Sequence, residues 1–220
     1  MRVLVVGAHP DDEVFGCGGT IPKFTRQGFE VHVLTLTRGD GLFDEEFIEQ
    51  GRREALKAHR ILGVAETHFE NLPTVRLDTI PQYQINDLLL TYFQRIKPNV
   101  LFLPFYGDIN RDHQIVHACG MVAARPTGST ELRAIYSYEA LSSTNWNSPG
   151  LTPTFIPNTF SDITDTLDLK IEAVKAFASQ LKPYPHERSV ESVIALSRYR
   201  GGFVNKMYAE AFVCLRQMLS

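Results

Sequence analysis

Long apolar runs, an excess of basic residues and paired cysteines are all missing from this 220-residue chain. The longest apolar stretch near its start, from Val3 to Ala8, is far too short for a membrane span or a signal-peptide core. Lysine and arginine number 22 against 25 aspartates and glutamates, a net charge of −3, so the basic face of a nucleic-acid binder is not expected. The three cysteines, Cys17, Cys119 and Cys214, fit neither a zinc-ribbon spacing nor a disulfide framework, and Cys119 and Cys214 read as small buried hydrophobes. No low-complexity tract appears and charged residues make up only 21%, which argues against disorder. The expectation is a cytoplasmic protein in which residues 1–220 form one domain, with 44% hydrophobic residues to fill its core.

What is present alternates. Arg2–Ala8 is apolar and β-branched without polar alternation, the pattern of a strand buried on both faces. Glu30–Thr37, Val100–Leu103, Ala134–Tyr138 and Ala211–Leu215 read as further strands. Between them, Ile85, Leu88, Leu89, Tyr92, Phe93 and Ile96 recur at helical spacing, as do Ala55, Ala58 and Leu62 ahead of a capping Gly63. Leu167, Ile171, Val174, Ala178 and Leu181 form another stripe, and Val190, Val193, Ile194 and Ser197 a shorter one. Such alternation predicts a Rossmann-like three-layer α/β sandwich with a mostly parallel sheet. Ligands then bind beyond the carboxyl ends of the strands. The Ser-, Asn- and Pro-rich segment 141–160 is long for a loop and reads as a lid, a binding loop or an interface.

After the first strand, a dinucleotide site would need G-x-G-x-x-G. The chain instead places His9, Asp11, Asp12 and Glu13 within five positions. Adjacent acids repel each other unless a divalent cation reverses the local electrostatics, and imidazole with carboxylate suits zinc. A solvated acidic turn capping the next helix is the plainer alternative, and Glu13 fits it or a supporting role. After the strand at Val100–Leu103, His113 enters a helix on the same sheet edge and is a candidate ligand. His117, one turn deeper, reads as packing.

These motifs resemble the LmbE/PIG-L-like N-acetylglucosaminyl deacetylase family. Ala8–Glu13 with Gly16–Thr20 is similar to its opening signature, Arg52-Arg53-Glu54-Ala55 with Leu62-Gly63 to its next helix, and Asp112-His113 to its second metal motif. Ser179-Gln180 and Tyr208–Phe212 resemble its C-terminal landmarks. The resemblance implies a zinc-dependent hydrolase that removes acetyl from an N-acetylated amino sugar or its conjugate. It implies that His9, Asp12 and His113 hold Zn2+ (or a similar divalent metal), that Asp11 is the general base, and that copies associate as a homo-oligomer. The alternative reading is a non-catalytic metal- or nucleotide-binding Rossmann-like module.

The chain departs from this family at two places. Relatives commonly read His-Pro-Asp-His where this chain has Asn110-Arg111-Asp112-His113, so Asn110 becomes the candidate oxyanion donor, unable to deliver a proton at neutral pH. Gly51 stands where relatives often carry a substrate-contacting arginine, for which Arg53 or Arg52 is a candidate replacement. Arg38, beyond the second strand, and Trp146, the only tryptophan, are candidate substrate contacts.

Overall fold

A computed structural model describes residues 1–126, 131–148 and 150–219. One seven-stranded sheet runs in the order β3-β2-β1-β4-β5-β7-β6. Its strands are β1 (Arg2–Gly7), β2 (Glu30–Thr37), β3 (Glu66–Leu72), β4 (Val100–Pro104), β5 (Ala134–Tyr138), β6 (Thr159–Asp162) and β7 (Ala209–Gln217). The pairs among β1 to β5 are parallel, and β7 is antiparallel to both neighbours. The expected mostly parallel α/β sheet is therefore present. Chain order reverses around β1, which lies between β2 and β4, and that reversal opens a crevice beyond the carboxyl ends of β1 and β4.

Seven α-helices accompany the sheet among the described residues: α1 (Asp12–Cys17), α2 (Thr20–Arg26), α3 (Glu45–Leu62), α4 (Gln82–Ile96), α5 (Arg111–Ala123), α6 (Leu167–Ala176) and α7 (Val190–Gly202). Alternate residues of β1 feed two cores. Val3 and Val5 pack with Ala55, Ala58 and Val174, whereas Leu4 and Val6 pack with Leu89, Phe93 and Val116. The α6 stripe stops early: its helix ends at Ala176, Phe177 caps it, and Ser179–Leu181 turn back toward α3.

The glycines after the first motif permit close approach. A Cβ on Gly16 would strike the Tyr138 ring, and one on Gly19 would come within 2.7 Å of Ile163. The outer motifs act as buckles on this frame. Glu210 accepts the amides of Gly19 and Thr20, both at 2.8 Å, and pairs with Lys170, tying β7 to α2 and α6. Glu54 accepts the Ser179 amide at 3.1 Å and its hydroxyl at 2.6 Å, tying α3 to the loop after α6.

Candidate metal centre and active site

The chain leaves β1 through His9 and Pro10 and enters α1 by way of Asp11, whose φ is 116°. That left-handed conformation is strained for a residue with a Cβ, and such strain concentrates at functional sites. The Asp12 carboxylate fixes the turn, with Oδ2 accepting the amides of Ala8 at 2.9 Å and His9 at 2.8 Å. Its Oδ1 then faces His113 Nε2 at 3.2 Å. His113 enters from the first turn of α5, where Asn110 caps the helix by accepting the Asp112 amide at 3.0 Å.

His9 Nδ1 lies 3.3 Å from His113 Nε2 and 3.5 Å from Asp12 Oδ2. Donors about 2.05 Å from a tetrahedral zinc stand about 3.3 Å apart, so these three groups have the spacing of one face of a coordination tetrahedron. Behind each imidazole stands a further acid. His9 Nε2 is 3.1 Å from Asp112 Oδ2, and His113 Nδ1 is 3.1 Å from Asp108 Oδ2. Carboxylates in that position hold the outer nitrogens protonated and turn the inner lone pairs toward one another. Three acceptors that face each other without a donor require a cation or extra protons. The donor set fits a divalent metal.

The charges express the same requirement. Burial opposes a positive His9, but the Asp112 and Asp12 hydrogen bonds prevail and raise its pKa to about 9. Burial likewise opposes a charged His113, which the Asp12 charge and the Asp108 and Asp12 hydrogen bonds push up to about 10. Asp12 falls well below the usual carboxylate range, because the His113 and His9 partners outweigh its burial. Asp11 goes the other way. Burial pushes it up, Arg188 pulls it back, Asp12 and Glu13 add to the rise, and it settles at about 7.

A cavity of about 450 Å³ opens above these groups. His9, Asp11, Asn110 and Arg188 form its polar side, while Asp12 and His113 are buried beneath it. Arg188, from the loop before α7, donates to Asp11 Oδ2 at 2.6 Å and to Ser142 Oγ at 2.8 Å. Its Nη2 has no hydrogen-bond partner among the described residues. The 141–160 segment begins as a brace: Ser143 and Thr144 both donate to Asp108, which stands behind His113.

The remaining candidates are placed differently from one another. Arg38 lines the cavity, but its guanidinium is held by Asp40 and Glu45 and lies 3.5 Å from Glu49. Arg53 points to solvent and is not part of the lining, and Arg52 donates to Glu70 O and Asn71 Oδ1 instead. Helical phase explains both, because residues one and two positions past Gly51 are turned about 100° and 200° away from its direction. Trp146 stands outside the lining, 53% exposed, with its ring edge-on to His186 at 6.1 Å. Glu13 is fully buried and lies 2.7 Å from His59 Nε2, a brace between α1 and α3. His117 is buried with Nδ1 2.8 Å from Pro104 O, in its expected packing role.

Residues 4–124 match the PIG-L family, described as GlcNAc-PI de-N-acetylase. The chain belongs to this family. Diacetylchitobiose deacetylase of Thermococcus kodakarensis is 27% identical over 95% of this chain and 81% of its own length. 4-Oxalmesaconate hydratase of Pseudomonas putida is 28% identical over 80% of this chain and 73% of its own. Among solved structures, a conserved protein from Thermus thermophilus superposes with a TM-score of 0.79 at 29% identity, covering 99% of this chain and 96% of that one. Arg188 and Asp108 escape a reading of the sequence as ligand motifs, and Asp112 enters it only as the neighbour of His113, without a role. Nothing in spacing ties Arg188 to Asp11, which lies 177 positions away.

Proposed function

We propose that this PIG-L family member is a zinc-dependent hydrolase that removes the N-acetyl group from an amino sugar or its conjugate, as a single domain over residues 1–220. The observation that carries it is the facing acceptor set His9, Asp12 and His113 with the unliganded carboxylate of Asp11 beside it at the cavity floor. Zinc held there would supply Lewis acidity, polarising an amide carbonyl and acidifying a water. Asp11, with a pKa of about 7, accepts a proton from that water as the water attacks, then returns it to the departing amine. This return meets the need left by Asn110, which has no transferable proton. Asn110 Oδ1 is occupied by the α5 cap, so its Nδ2 is the end left to donate toward a developing oxyanion. Arg188 holds Asp11 in place from the opposite side.

A hydratase relative makes the same scaffold a candidate for adding water to an anionic substrate. The apolar residues Phe43, Phe47 and Ile48 in the lining support an uncharged one, and Arg38 and Arg188 are already paired with acids. A cytoplasmic location is part of the proposal, supported by three free cysteines; among the described residues no helix is long and apolar enough to cross a membrane. Self-association is proposed as well, supported by Leu151 and Ile156, 85% and 73% exposed on the loop that also carries Trp146. The test is acetate release from a panel of N-acetylated amino sugars and conjugates by zinc-loaded protein. Acetate from at least one of them is expected; hydration of 4-oxalmesaconate with no acetate from any would overturn the assignment.

A further inference from the structure

The cavity is two-sided. Opposite His9 and Asp11 its wall is built by α3 and the segments beside it: Phe43, Phe47, Ile48, Gly51 and Val75. Three of these residues are poor choices for the folded chain on its own. Gly51 lies inside α3, where glycine weakens a helix relative to alanine. Gly16 and Gly19 are needed for close packing, but a Cβ at Gly51 would meet nothing within 4 Å. Val75 adopts φ 56°, a left-handed conformation that a β-branched side chain strongly disfavours. Its amide donates to Asp112 Oδ2 at 2.6 Å, which accounts for the backbone there but not for a valine, and its side chain is 60% exposed. Phe43 is 50% exposed beside Phe47, their centroids 5.0 Å apart.

A notch without a packing reason, a strained exposed valine and an exposed phenylalanine all face one space. Helical spacing brings this about: Phe47, Ile48 and Gly51 share the α3 stripe that continues into Ala55 and the core, so the missing side chain extends the cavity along an apolar face. On the polar side of the cavity Arg38 pairs with Asp40 and Glu45 and Arg188 with Asp11, while Lys182 also lines the cavity.

We propose that this wall is a subsite for an apolar aglycone, an alkyl or aryl group carried by the N-acetylated amino sugar, so that the preferred substrate is amphiphilic. This rests on the de-N-acetylase reading, and its test separates the two. Acetate release is measured from the methyl, butyl and hexyl glycosides of N-acetylglucosamine. Each fully buried methylene is worth up to about fourfold, so kcat/KM rises at least tenfold from methyl to hexyl, through KM. Gly51→Arg fills the notch and brings the hexyl-to-methyl ratio toward one. Val75→Asn, whose side chain tolerates the backbone conformation and keeps the fold, lowers that ratio as well. In parallel, calorimetry with hexyl β-glucoside, which has no acetamide, shows binding to zinc-loaded protein at least tenfold weaker in Gly51→Arg. Acetate released equally from all three glycosides, or hexyl glucoside binding equally to both proteins, overturns the subsite while the hydrolase reading stands. Hexyl glucoside binding that Gly51→Arg weakens, with no acetate from any glycoside or from the wider panel of N-acetylated amino sugars, upholds the subsite and removes the hydrolase reading.

Discussion

Two places in this molecule bring two histidines and a carboxylate within 4.8 Å: His9, Asp12 and His113 at the crevice, and His32, Glu66 and His68 on the β2–β3 edge of the sheet. By residue type they are equivalent. They differ in what stands behind the second histidine. At the crevice it is Asp108, so His113 Nε2 is left as an acceptor facing His9 Nδ1. At the edge it is Arg95, which donates to His68 Nδ1 at 3.1 Å and so leaves the proton of the neutral ring on Nε2. That proton points at His32 Nδ1, 3.4 Å away, with the ring planes only 10° apart. His32 Nε2 in turn lies 3.2 Å from Glu30. At the edge one histidine donates to the other without a metal, whereas at the crevice two acceptor nitrogens face each other. One side chain behind the ring separates a cluster whose geometry fits a metal from one that does not require it.

The largest effect that would break this comparison is on metal content. Elemental analysis should find about one zinc per purified chain, lost almost completely in His113→Ala and retained in His68→Ala; equal loss in both variants would make the two clusters alike. Next comes Arg188→Ala, expected to keep its zinc and lose on the order of tenfold or more in kcat, since Asp11 loses its positioning partner. The pH profile should move with it. Asp11 acts ionised, so activity falls as pH drops through its pKa, near 7 before any cation is bound. Removing the adjacent positive charge raises that pKa, so the acidic limb shifts to higher pH. An unshifted limb would take Arg188 out of the account.

A smaller signal is proton release. His9 and His113, with pKa values of about 9 and 10, carry their extra protons at pH 7.5 in the metal-free protein. Zinc should displace one from each, read as acid released in weakly buffered solution. Release of none would show the acceptor set to be neutral beforehand. The smallest effect should come from Arg95→Glu, which places a carboxylate behind His68 and should create a weak second zinc equivalent at the β2–β3 edge. No second equivalent would mean that the residue behind the ring is not what separates the clusters.

The sheet centre is readable in the sequence because β1, β2 and β4 are buried on both faces and carry unbroken apolar runs. Both edge strands escape such a reading. β3 and β6 are only half-buried, and sequences such as ETHFENL show neither a continuous run nor clean alternation. Gly63 closes α3 with φ 76°, as its position suggests. Metal candidates can be read from chemistry local to two strand ends, whereas the division of roles between Asp11 and Asp12 comes from the family resemblance. The supporting residues are another matter. Asp108 meets His113 through its place in the loop after β4, and Arg188 reaches Asp11 only after the chain has folded across the sheet, so neither contact leaves a periodic signal. Arg53 and Trp146 fail to reach the cavity for reasons of helical phase and loop path, which adjacency to a motif does not encode.

The central claim assigns two neighbouring aspartates to different work, and one paired experiment reads both. Zinc content and acetate release are measured side by side in Asp11→Asn and Asp12→Asn. Asp11→Asn should retain its zinc and its fold while losing at least ~10²-fold in kcat, because an amide accepts no proton near pH 7. Asp12→Asn should lose zinc and activity together, because it gives up the carboxylate that faces both histidines. A fully active, zinc-loaded Asp11→Asn, or loss of zinc from Asp11→Asn while Asp12→Asn keeps it, would contradict the account.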